Sequence, residues 1–226
     1  MRQATLKRDG ASSMLNLTPD DLICRVITLI IALTVHEFSH AFIADRFGDL
    51  TPRQAGRVTL NPLVHLDFFG SLMVLVSGYG WAKPTPINPV VLRQHSKYAL
   101  LWVSLAGPFS NLLLAAIASV PLRLGLVTVT QPSGILPTLG EFLYIFFYLN
   151  LILAIFNLIP FPPLDGEKII TALLPEKLES IYAKIRPFGP IILIALIFVG
   201  PQIGIDVIGW IMTPALAGLK KLFLGV

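Results

Sequence analysis

Only one cysteine, Cys24, occurs in this chain of 226 residues. A single thiol closes no intrachain disulfide and builds no cysteine metal cluster. Charge is scarce as well. Asp, Glu, Lys and Arg make up 13% of the residues, about half the usual quarter for a soluble domain. So little polar material cannot cover the surface of a water-soluble fold. The formal net charge is +4, yet no Lys/Arg run with interleaved aromatics is present, and no nucleic-acid partner is expected. The 17 Gly and 18 Pro follow no period, which excludes a collagen-like chain. No small-residue cleavage site follows the first apolar run, so no signal peptide is expected. There is no internal repeat and no linker long enough to divide the chain.

What the chain has in excess is apolar surface. Hydrophobic residues make up 54% and the mean hydropathy is +0.75. That excess excludes disorder. The expected fold class is an all-α polytopic membrane protein, one domain over 1–226, embedded in a lipid bilayer. It should hold about five transmembrane helices, with a re-entrant or β-hairpin segment between the first and second spans. The core should cover 22–170, and the C-terminal helices 187–222.

The first apolar run, 22–47, has a start signal in Thr18, Pro19 and Asp20. As a helix its roughly 26 residues reach about 39 Å, enough to cross with some tilt. Residues 48–65 mix Gly, Pro and β-formers and predict short strands. Residues 66–80 are apolar but reach only about 22 Å as a helix, short of the roughly 30 Å bilayer core. Gly70, Gly78 and Gly80 allow close backbone approach or turns there. A Pro-rich loop covers 81–96. Further spans are expected over 97–122, 139–159, 188–200 and 203–219, with a polar stretch over 162–186. Trp81, Trp102 and Trp210 fit interface anchors, and Met73 and Met212 fit the core.

Inside the first span lies His36-Glu37-Phe38-Ser39-His40, an HExxH pattern. Residues i and i+4 share one helix face, so both imidazoles can point at one ion. Imidazole is a good zinc ligand, and the adjacent Glu can take a proton from a water that the metal activates. Ionisable groups in an apolar helix cost about 2–3 kcal/mol or more for a central charge, so they persist when paired, hydrated or metal-bound. A catalytic zinc takes three protein ligands. For the third, His65, His95, Glu141, Asp165, Glu167 and Asp206 are available. Spacing does not choose among them; context favours Asp165. It ends Asn157-Leu158-Ile159-Pro160-Phe161-Pro162-Pro163-Leu164-Asp165-Gly166, whose prolines remove donors and break a helix. Broken backbone at membrane depth survives only where protein or a water-filled cavity satisfies it.

HEFSH followed by NLIPFPPLDG resembles the site-2 protease family of intramembrane zinc metalloproteases. Ala106-Gly107-Pro108-Phe109-Ser110-Asn111 is similar to that family's AGPxxN segment, and GRVTLNP…GWAKPTPINP to a compact branch without PDZ or CBS domains. The resemblance covers about residues 22–170. It implies a zinc endopeptidase that cleaves transmembrane protein substrates within or next to a span, as in regulated intramembrane proteolysis. It also implies that His36, His40 and Asp165 bind zinc, that Glu37 is the catalytic base, and that Asn157 helps to hold substrate. Asn111 is a candidate for substrate contact, for support of the metal site, or for helix packing.

One shared metal site demands that the first and third long spans run in the same direction, so an odd number of crossings must separate them, and 97–122 supplies one. Segment 66–80 then cannot cross. Lys and Arg gather on the active-site side, which places that side toward the cytoplasm, and the resemblance implies a prokaryotic cell membrane. His65 and Asp67 read as loop-fixing hydrogen bonders, with His65 a reserve ligand. The edge of a hairpin within 51–80 is a candidate to capture an unwound substrate by β-addition. A non-proteolytic zinc protein, transporter or helix-binding scaffold, is the alternative class. A transporter is expected to show paired broken helices, and only one Pro-broken segment is present.

Overall fold

Thr18 is extended and Pro19 occupies the first turn, where a missing amide costs nothing. From that start the chain is mostly helical. The computed structural model describes residues 18–77, 81–130 and 135–225. In order these contain α1 (Pro19–Arg46), α2 (Thr51–Gln54), α3 (Phe68–Ser77), α4 (Pro89–His95), α5 (Ala99–Arg123), α6 (Leu139–Leu158), α7 (Asp165–Leu173), α8 (Glu176–Ile185), α9 (Gly189–Phe198) and α10 (Val207–Leu224). Five helical stretches are long and apolar enough to cross a membrane: α1, α5, α6, Glu179–Phe198 and α10. The fourth joins α8 to α9 through a 3-10 turn at Arg186–Phe188.

Side-chain pairings fix the directions. His40 meets Val103 while His36 meets Asn111, so α5 runs antiparallel to α1. Leu29 and Leu33 pack on Leu149, and Asp165, beyond the end of α6, reaches His36 and His40. Helix α6 therefore runs parallel to α1, as a shared metal site requires. Small residues let the central helices approach: Ala115 and Ala118 of α5 are buried against Phe147 and Leu151 of α6. The bundle is unevenly filled. In the most apolar windows of α1, α5 and α6, 33%, 39% and 44% of residues are buried, against 11% in 179–198 and 6% in α10.

The strands expected over 48–65 do not form. Pro52 starts α2 instead, Gly56 turns the chain at φ +68°, and Pro62 starts a 3-10 turn capped by Asn61. Proline fits a first helical turn and denies a ladder its donor. Among the described residues the lone isolated β-pairing is the antiparallel bridge Leu66–Ala82. Within the segment left open between hairpin and half-helix, Phe68–Ser77 form a helix, α3, whose ten residues reach about 15 Å. Gly70 abuts the Trp81 carbonyl so tightly that any Cβ would overlap it. Gly78 and Gly80 lie outside the described residues. Met73, expected in the core, is 39% exposed, whereas Met212 packs against the Ile159, Leu164 and Leu193 cluster. Trp81, Trp102 and Trp210 are all exposed.

Candidate metal centre

Three elements meet at one point inside the bundle. Helix α1 supplies His36 and His40, α5 crosses beside them, and α7 begins with Asp165. The turn before α7 follows from its sequence. Pro160, Pro162 and Pro163 end α6 at Leu158, and Gly166 lets the backbone pass so close to the Ile159 carbonyl that a Cβ would collide with it. The freed backbone is satisfied locally: Phe161 N–H donates to Ile159 O at 2.7 Å and Leu164 N–H to Phe161 O at 2.9 Å.

Three donor atoms converge there. His36 Nε2 lies 3.1 Å and His40 Nε2 3.0 Å from Asp165 Oδ2, and the two Nε2 atoms are 3.1 Å apart. All three residues are buried. Their other ring atoms settle the tautomers. His36 Nδ1 donates to Asn111 Oδ1 at 2.6 Å, and His40 Nδ1 donates to Val103 O at 2.6 Å. Asn111 cannot turn its amide round, because its Nδ2 donates to Asn150 Oδ1 at 2.9 Å and to Ala32 O at 3.3 Å. Asn150 is held in turn by donating to Phe146 O at 2.8 Å. With both Nδ1 protons engaged, both Nε2 lone pairs face the carboxylate oxygen. Three lone pairs in one buried spot repel unless a cation sits among them.

The donor set fits zinc. Two nitrogens and an oxygen are among its usual ligands, and tetrahedral ligands about 2.0–2.1 Å from the ion stand about 3.3 Å apart, close to the spacing found. Outer partners on both histidines match the support that ligating imidazoles receive. Asp165 begins α7, past the end of the α6 span. Lys168 Nζ donates to its other oxygen, Oδ1, at 3.2 Å. Helix α5 comes so close at Gly107 that a Cβ there would stand 2.6 Å from His36 Cε1.

Of the six candidate third ligands, only Asp165 reaches the imidazoles. His65 is buried elsewhere, donating Nε2–H to Thr59 O at 2.8 Å, and Asp67 accepts from Gly70 N–H, so both fix the loop. His95 lies exposed over Gly48. Glu167 pairs with Arg186, and Asp206 caps α10. Glu141 sits with Asp20 and Asp21 where α6 and α1 begin, at the opposite end of the bundle.

A cavity of about 460 Å³ opens onto the three donors. Glu37 and Asn157 line it, as do Trp81, Pro84, Thr85 and Ile87 from the loop before α4. Asn157 Nδ2 donates to Leu153 O at 3.0 Å. Asn111 is fully buried, accepts from His36 Nδ1 and is not among the residues that line the cavity. Asn150, Gly107, Lys168 and Thr85 were not singled out by sequence. Gly107 has a signal in its AGP segment and Thr85 in its GWAKPTPINP segment; Asn150 has none.

A family model described as peptidase family M50 matches residues 124–200. A Bacillus subtilis protein, YwhC, named as a candidate zinc metalloprotease, is 43% identical over 78% of this chain and 80% of its own. Rip2 of Mycolicibacterium smegmatis, named in the same way, is 31% identical over 74% of this chain and 64% of its own. A Methanocaldococcus jannaschii protein, also so named, is 29% identical over 60% of this chain and 62% of its own. No solved structure gives a match.

Proposed function

The chain belongs to peptidase family M50, the site-2 protease family, and on that premise we propose that this integral membrane metalloprotease hydrolyses peptide bonds in or next to the spans of other membrane proteins. One observation carries the reading. Three convergent donors, His36, His40 and Asp165, share a cavity with Glu37 inside a bundle of membrane-length helices.

His36, His40 and Asp165 would hold zinc. Bound there, the ion supplies a Lewis acid for the scissile carbonyl and lowers the pKa of water. Glu37 accepts the proton of the attacking water and later delivers it to the leaving amine. Asn157, on the cavity wall, bonds the substrate main chain. Helices α1, α5 and α6 exclude bulk water from behind the histidines. Helix α3 dips into the bilayer without crossing it, and the cavity opens toward the cytoplasmic face, where Lys and Arg gather. Single-span proteins cleaved in the course of regulated proteolysis are the substrate class.

The deciding experiment uses purified, zinc-loaded protein and a single-span peptide. Glu37→Gln should keep zinc and lose cleavage. A wild-type protein that moves zinc across vesicles but cuts no peptide would overturn the reading in favour of a transporter.

A further inference from the structure

Glu37 is not free to choose its orientation. Its Oε2 accepts the Thr85 main-chain N–H at 2.7 Å, and its own carbonyl accepts the Thr85 hydroxyl at 3.0 Å. One residue, 48 positions away in the chain, grips both the side chain and the backbone of the proposed base.

That residue is set in a stiff frame. Thr85 lies between Pro84 and Pro86. Both prolines have fixed φ and no N–H, so Thr85 carries the one amide donor of the triplet. The flanks are fastened to other elements. Arg57, itself buried, donates to Lys83 O at 3.1 Å and Pro84 O at 3.2 Å. Lys83 N–H donates to His65 O at 2.8 Å, and Asn88 N–H donates to Asp49 Oδ2 at 2.6 Å. A glutamate side chain has several rotatable bonds, and a mobile base loses the alignment that proton transfer needs. Anchoring Oε2 leaves Oε1 for the reacting water.

We infer that Thr85 is the positioning residue of this site, aiming Glu37 by an amide that Arg57 and the two flanking prolines hold in place. The inference rests on Glu37 being the base. It gives the segment 83–88 a task distinct from lining the cavity.

The test compares Thr85→Val, Thr85→Ser, Thr85→Pro and Glu37→Gln in full-length, zinc-loaded protein acting on a single-span peptide. Valine keeps the amide and loses the hydroxyl; serine keeps both; proline loses both. Thr85→Pro should bind zinc fully, since no zinc donor lies on its segment. Its kcat should fall about 10²-fold at unchanged KM, and Thr85→Val should fall less. Thr85→Ser should restore kcat. Infrared difference spectra against Glu37→Gln should show the Glu37 carboxylate band displaced in Thr85→Pro and kept in Thr85→Ser, a readout independent of turnover. If Thr85→Pro fails to take up zinc, Thr85→Val against Thr85→Ser decides. Wild-type kcat in Thr85→Val and Thr85→Pro, or a change confined to KM, overturns the inference while leaving the peptidase reading intact. A Glu37→Gln enzyme as active as wild type overturns both.

Discussion

Asn111 holds His36 at 2.6 Å across 75 residues of sequence, and the same amide reaches on to Asn150 of α6. The histidine thus reports to all three central helices at once. Removing the amide oxygen leaves His36 Nδ1 a buried donor with no partner and frees the ring to turn. Asn111→Ala should weaken zinc binding about 10–100-fold, read by competition with a coloured chelator. Unaltered affinity would rule out the support role.

Gly107 presses on both imidazoles. An added methyl must push aside rings whose Nδ1 atoms are already tied down. Gly107→Ala should abolish zinc uptake, measured by metal analysis of the purified protein. The helix itself gains, since alanine is favoured over glycine by about 1 kcal/mol within helices. Thermal unfolding should therefore stay close to that of metal-free wild type, the zinc-loaded wild type standing higher by the linkage of binding to folding.

Two ion pairs on the active-site side test how burial sets the value of a charge. Glu167 is buried and paired with Arg186, while Glu179 is part-exposed and paired with Arg93. Arg186→Ala strands a buried carboxylate and should cost about 2 kcal/mol. Arg93→Ala should cost below about 1 kcal/mol. Denaturation in the same detergent compares them, and equal losses would contradict the argument.

Cys24 is fully buried, so new cysteines can be labelled against a silent background. Gln54 and Gln94 are exposed and flank the half-helix α3; Thr130 is exposed beyond the far end of α5. In sealed vesicles a membrane-impermeant maleimide should label Gln54→Cys and Gln94→Cys from one side and Thr130→Cys from the other. Opposite labelling of Gln54→Cys and Gln94→Cys would mean that α3 crosses.

The long spans were legible because hydropathy alone marks them, and the two ends of the metal site because His36, His40 and the Pro-broken approach to Asp165 are local patterns. Parallel α1 and α6 followed from asking both ends to share one ion. The short helices were less visible. Residues 48–65 carry β-formers, but Pro52 and Pro62 sit where helical turns begin, and among the described residues no partner strand rewards extension. Asn111–Asn150, Arg57 with the 83–84 carbonyls, and Thr85 with Glu37 leave no periodic trace. Their partners are 26 to 48 residues away, and only packing reveals them.

The uneven filling of the bundle bears on how a substrate enters. In lipid, hydrocarbon tails are as apolar as leucine, so no hydrophobic force holds one helix to another. Separating α9 and α10 from the rest exchanges modest protein packing for lipid packing, and among the described polar contacts it costs chiefly the Arg123 donation to Leu222 O at 2.8 Å near the α10 terminus. Prising α1 from α5 would tear the Asn111 amide from His36 and the Val103 carbonyl from His40. The molecule is thus a riveted wall with a hung curtain, and on the proposed function a peptide helix arriving sideways through the bilayer would meet its least resistance at the curtain.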